Sequence, residues 1–156
     1  MTTVPHNNSI PISVLLADDD RDDCFFFKNA LSKLSIPTQF TTVSDGEKLM
    51  KYLLENSSAL PAVLFLDFNM PRKNGAECLR EIKHNRNFKS LPVIMYSTAL
   101  HDAIADDLYD EGAHYFVRKE GLTELTNVLL RVLTMITENK FERPARDKFV
   151  LSLEAI

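Results

Sequence analysis

Five short apolar runs alternate with five stretches of helical periodicity, and this alternation constrains the fold more than any other feature of the chain. Residues 14–17 form the first run and stop abruptly at Asp18-Asp19-Asp20. Cys24, Phe27, Leu31 and Leu34 then recur at helical spacing over residues 22–34. Residues 39–43 read as a second strand, Ser44-Asp45-Gly46 as a turn, and residues 47–55 as a helix with Leu49 and Leu53 on one face. Pro61 opens a third strand over residues 62–66, which ends at Asp67 and is followed by a loop with Pro71, Asn74 and Gly75. A helix over residues 76–84 turns Leu79 and Ile82 inward. Pro92 opens a fourth strand, residues 93–96, ending at Ser97-Thr98. A weaker helix spans residues 101–111 and stops at Gly112. Residues 115–117 make the fifth strand, ending at Arg118-Lys119. Leu125, Val128, Leu129, Val132, Leu133 and Ile136 form the stripe of the last helix.

Successive strand–helix units imply an α/β fold: a five-stranded parallel sheet with helices on both faces and right-handed crossovers. Continuously apolar strands fit burial on both sides. The 156 residues are enough for one domain with its own core. A net charge of −4 gives no electrostatic reason to bind nucleic acid or an anionic membrane. The first residues lack a basic start and an apolar run, so no signal peptide is expected. No stretch approaches the roughly 18 apolar residues of a membrane span, and a cytoplasmic location is the expectation. Cys24 and Cys78 are too few for a disulfide scaffold or a zinc site and read as small core residues. His6, His84, His101 and His114 share no spacing and read as scattered surface or half-buried residues.

Ligands of open α/β sheets bind beyond the carboxyl ends of the strands. Those ends here carry Asp18, Asp19 and Asp20, then Asp67, then Ser97 and Thr98, then Lys119. Clustered carboxylates repel one another unless a cation neutralises them. Mg²⁺ suits such a set, being a hard ion content with one or two carboxylates, waters and phosphate oxygens. A carboxylate beside it can attack phosphorus. A lysine supplies a point charge for phosphate oxygens, and a hydroxyl supplies a hydrogen bond. Each residue also has a plainer role to weigh. Asp20 or Asp22 fits a helix cap, Asp22 and Asp23 fit solvated positions, and Lys119 alone would pass for a surface lysine.

The segments VLLADDD, LFLDFNMPRKNG, PVIMYSTA and YFVRKE resemble those of the receiver domains of two-component systems, over residues 12–138. The MPRKNG loop and the long segment before Pro92 look most like small phytochrome-associated receivers of bacteria. The resemblance implies a flavodoxin-like receiver fold with strand order 2-1-3-4-5. It implies that Asp67 is the phosphoacceptor and that Asp18, Asp19, Asp67 and the backbone carbonyl of Asn69 hold Mg²⁺. By the same resemblance Ser97 is the switch hydroxyl, Lys119 contacts the phosphate, and Phe116 takes the aromatic switch position. A sensor histidine kinase or a histidine phosphotransfer protein would donate the phosphoryl group. Output would pass to a downstream protein or a homodimer through the fourth helix, fifth strand and fifth helix.

The expected organisation is a flexible segment at residues 1–11, the receiver domain at 12–139 and a C-terminal extension at 140–156 without a separate output domain. The extension carries Phe149, Val150, Leu151, Leu153 and Ile156, which fit a frayed tail, a segment packed back on the domain, or a contact with a second copy. Glu120 stands where most receivers carry proline, and Phe116 replaces the frequent tyrosine. The expected role is that of a phosphoacceptor signalling domain, catalysing only its own phosphoryl transfer and slow dephosphorylation. An aspartyl phosphatase using Asp18 is the enzyme alternative, but the chain has no room for a cap domain. A phosphorylation-independent binding module is a second alternative. A flavin-binding domain of the same fold is a third, and it lacks a phosphate-cradling loop.

Overall fold

The computed structural model describes residues 10–151. His6, Leu153, Ile156 and most of the segment 1–11 lie outside the described residues. In chain order the elements are β1 (Ile12–Ala17), α1 (Arg21–Ser32), β2 (Thr38–Val43), α2 (Gly46–Glu55), β3 (Val63–Asp67), α3 (Gly75–Lys83), β4 (Val93–Ser97), α4 (Asp102–Asp110), β5 (Tyr115–Arg118), α5 (Leu122–Thr137) and β6 (Val150–Leu151). The strands form one sheet in the order β2-β1-β3-β4-β5-β6, and every pairing is parallel. The flavodoxin-like class and the order of the first five strands are as expected. The count is not, because a sixth strand joins the sheet.

β3 and β4 are buried along their whole length, and their residues are apolar up to the terminal Asp67 and Ser97. β2 departs from that pattern. Its sequence TQFTTV is largely half-exposed, as befits an edge strand. The helices divide the core into two layers. Leu49, Leu53, Leu79, Ile82, Leu108 and Phe116 pack on one face of the sheet. Phe27, Leu31, Phe65, Tyr96, Leu129 and Leu133 pack on the other. Phe27 anchors the second layer, stacked on Phe40 and edge-on to Phe65 and Tyr96. Burying such a ring is worth about 2–3 kcal/mol.

Local chemistry sets the helix starts. The Asp20 side chain accepts from the backbone N–H of Asp22 and Asp23 and caps α1, so that of the two acids offered for the cap, Asp20 takes it. Asp45 caps α2, and Asn74 with Glu77 forms a capping box on α3. Gly112 adopts φ 110°, a left-handed conformation that ends α4 without a Cβ penalty. Cys78 is buried as expected, whereas Cys24 is only half-buried. No helix of the described residues is long and apolar enough to cross a membrane.

The segment after α5 packs back on the domain. Phe141 stacks on Tyr115, and Arg143 donates to the carbonyls of Ala113 and Tyr109. The Tyr109 hydroxyl donates to the Pro144 carbonyl, and Arg146 pairs with Asp106 at 2.7 Å. Phe149 is fully buried, and β6 then pairs with Phe116 and Val117. Of the three fates open to the extension, packing back on the domain is the one seen up to Leu151, and it pairs the β5 edge, part of the expected output face, with β6.

Candidate functional site

Strand register brings the site together. Ala17 is level with Leu66, Asp67 with Tyr96, and Ser97 with Arg118. The residues immediately beyond or at these levels are therefore neighbours. Asp67 and Ser97 are the last residues of their strands rather than the first of their loops, so both are held by the sheet. One carboxylate oxygen each from Asp18, Asp19 and Asp67 lies within 4.8 Å of the others. Asp18 and Asp67 are buried, while Asp19 is exposed at the mouth.

Loop chemistry aims these acids. Asp18 Oδ1 accepts from the Asp20 N–H, and Asp67 Oδ1 accepts from the Asn69 N–H at 3.2 Å. The Gly75 N–H donates to the Phe68 carbonyl, folding the MPRKNG loop back on the β3 end. A Cβ at Gly75 would collide with the Asp67 carbonyl and the Phe68 backbone, so glycine is required there by close approach. The Lys119 N–H donates to the Ser97 carbonyl at 2.8 Å, tying the ends of β4 and β5. Ser97 is buried and Thr98 exposed. Phe116 is buried in the same layer as Leu108 and Phe149.

The Lys119 ammonium lies 2.9 Å from Asp18, 2.9 Å from Asp23 and 3.5 Å from Asp67. Its aligned hydrogen bond is to Asp23, and it also sits 5.2 Å from the centre of the Tyr96 ring. Burial works to lower its pKa, but the contacts with Asp18 and Asp23 and the charge of Asp67 outweigh burial and hold it above the ordinary value. Asp67 moves the other way. Burial first, then the charge of Asp18, pushes its carboxyl up to about 7, against the opposing pull of Lys119. Asp18 Oδ2 is buried and has no aligned hydrogen-bond donor. Three carboxylates gathered within 4.8 Å, two of them buried and sharing one ammonium, fit the ligand set of a hard divalent cation.

Asp23 was read as solvated and is instead a partner of Lys119. Side chains in a helix lean toward its N-terminus, so an acid in the first turn of α1 reaches back over the strand ends. That lean was available from the sequence; the contact with a residue 96 positions away was not. Asp22 stays exposed. A groove of about 620 Å³ between α1 and β2, lined by Cys24, Phe25 and Phe40, contains none of these acids.

Comparison with known proteins agrees with this arrangement. A family model described as the response regulator receiver domain matches residues 14–130. Response regulator Rcp1 of Synechocystis sp. is 31% identical over 93 residues, covering 57% of this chain and 63% of Rcp1. The match thus spans less than two thirds of that relative. The phosphorylated cyanobacterial phytochrome response regulator RcpA superposes with a TM-score of 0.74 at 27% identity, covering 83% of this chain and 96% of RcpA. The Mn²⁺-bound form of Rcp1 gives 0.71 at 25% identity, covering 86% and 100%. With a family match over most of its length and acids at the expected strand ends, the chain belongs to the response regulator receiver domain family of two-component systems.

Proposed function

We propose that this chain acts as a response regulator receiver that accepts a phosphoryl group on Asp67 from a phosphohistidine. The observation that carries the reading is the cluster of Asp18, Asp19 and Asp67 carboxylates within 4.8 Å of one another, with a lysine ammonium 2.9 Å from Asp18 and 3.5 Å from Asp67. Asp18, Asp19, Asp67 and the Asn69 carbonyl would hold Mg²⁺, which neutralises charge on the acids and on the incoming phosphoryl oxygens. The Mn²⁺-bound relative supports a divalent ion in this family.

An Asp67 oxygen forms the new bond to phosphorus while the bond to the donor imidazole nitrogen breaks, and the imidazole keeps that electron pair. Catalysis is mostly positioning, because the nucleophile and the lysine are already fixed by the sheet. The β3 end presents Asp67, and Lys119 meets the added charge of about −1.5 to −2. Ser97 donates its hydroxyl hydrogen to a phosphoryl oxygen. Water later attacks phosphorus, the bond from the Asp67 oxygen to phosphorus breaks, and inorganic phosphate leaves with the carboxylate restored. The chain thus catalyses only its own loading and slow release.

The donor is a sensor histidine kinase or a histidine phosphotransfer protein, in the cytoplasm where ATP feeds such kinases. The response is a shift between two arrangements of Ser97, Phe116 and α4, of the size typical for allosteric coupling, about 1–3 kcal/mol. Because β6 covers the β5 edge, a downstream protein or second copy would meet α4, α5 and the segment after α5 rather than β5 itself. No nucleic acid or membrane is part of this reading.

The test is intact-mass measurement after incubation with acetyl phosphate. Addition of one phosphoryl group only when Mg²⁺ is present supports the reading. An unchanged mass under conditions that load an established receiver contradicts it.

A further inference from the structure

Lys119 has more acidic partners than its role requires. An ammonium has three N–H bonds to give. Here its neighbours are Asp23 and Asp18, each at 2.9 Å, and Asp67 at 3.5 Å. Only the bond to Asp23 is an aligned hydrogen bond. Asp18 and Asp67 belong to the acidic cluster that fits a divalent cation, whereas Asp23 does not. Asp23 is also rigidly placed. It lies in the first turn of α1, and its backbone N–H is held by the Asp20 cap.

We propose, resting on the phosphoacceptor reading above, that Asp23 is a positioning residue for Lys119. When Asp18 and Asp67 turn to a cation and a phosphoryl group, Asp23 is the carboxylate that stays with the lysine. It holds the side chain across the cluster so that a free N–H faces oxygen bound on Asp67. Asp23 adds negative charge near an anion site, so its removal has two opposed effects. Positioning predicts weaker anion binding on its loss, and simple repulsion predicts tighter binding.

Beryllofluoride, a stand-in for the phosphoryl group on a carboxylate, separates the two. Its affinity at saturating Mg²⁺ is measured by fluorine NMR, and Mg²⁺ affinity alone by calorimetry. Asp23→Ala is expected to weaken beryllofluoride binding about tenfold, the scale of one charge-assisted hydrogen bond. Mg²⁺ affinity should stay within about threefold, because a charge outside the ligand shell acts at longer range. Asp23→Asn keeps an acceptor and should lose less, and Asp23→Glu should recover most of the affinity. Asp22→Ala removes a neighbouring acid from the same helical turn, so it controls for the helix dipole and should change neither affinity. Unchanged or tighter beryllofluoride binding in Asp23→Ala overturns the proposal, as does an equal loss in Asp22→Ala. Failure of the native chain to take up beryllofluoride with Mg²⁺ would instead overturn the functional reading on which the proposal stands.

Discussion

Lys119 and Lys83 are both half-buried lysines at opposite ends of one sheet, and their surroundings drive them in opposite directions. At the carboxyl ends of the strands, Lys119 meets Asp18, Asp23 and Asp67 and is held firmly protonated. At the other end, Lys83 donates to the carbonyls of Lys89 and Leu91, with no carboxylate within ion-pair distance among the described residues. Burial, with a smaller push from Arg143, lowers its pKa to about 8. His114 beside it falls to about 4 through burial, Lys83 and Arg143. Burial disfavours the charged form at both ends; the company decides the outcome. The basic end is closed by backbone carbonyls and by the segment after α5. The acidic end keeps a surplus of carboxylates around one ammonium, which is why chemistry is assigned there.

The largest expected effect comes from breaking the anchor that closes the basic side. Phe149 is fully buried against Tyr109, so Phe149→Ala should cost about 3–5 kcal/mol in urea unfolding. A loss below about 1 kcal/mol would mean that β6 is not part of the core. Next comes the pair of lysines. Lys119→Met should slow phosphoryl uptake from acetyl phosphate about 100-fold, the scale of losing one charge-stabilising donor. Lys83→Met should leave uptake within about twofold, since it touches no part of the acidic cluster. Equal effects of the two would erase the contrast.

A smaller effect follows from Asp67. Its folded-state pKa is about 7, above the ordinary 3.8. Protons and Mg²⁺ therefore compete, and Mg²⁺ affinity should rise about tenfold per pH unit below 7 and level off above it. Calorimetric titrations from pH 5.5 to 8 check this. For the metal-free protein, the folded state binds the proton more tightly than the unfolded chain. Stability should then fall as pH rises from about 4 to 7, and Asp67→Asn should remove that slope. The smallest effect belongs to Lys83. Its folded pKa lies below the ordinary 10.5, so the unfolded chain holds the proton longer and stability should climb between pH 8 and 10.5. Urea midpoints across that window should flatten in Lys83→Met.

The acidic end was largely legible in the sequence, because apolar strands that stop at Asp18, Asp67 and Ser97 mark their own carboxyl ends. Parallel order then forces those ends to one rim. Bounds shifted by about a residue, since hydrogen bonding in the ladder carries Asp67 and Ser97 into the strands although both are polar. Asp23 escaped because its partner is distant in the chain, and an exposed-looking acid in a first helical turn is already explained by the helix dipole. The sixth strand escaped for another reason. Val150 and Leu151 are too short a run to show any period, and nothing local tells a two-residue strand from a tail. The apolar residues Phe149 to Leu151 were visible, but their docking depends on Tyr109 and Asp106, whose positions only the tertiary structure supplies.

The most direct measurement is to locate the phosphoryl group. After loading with acetyl phosphate and Mg²⁺, borohydride reduces an acyl phosphate to homoserine, and peptide mass spectrometry finds the altered residue. The account predicts homoserine at position 67, and none when Mg²⁺ is withheld. Reduction at Asp18 or Asp19, or labelling at 67 that proceeds equally without the cation, would contradict it.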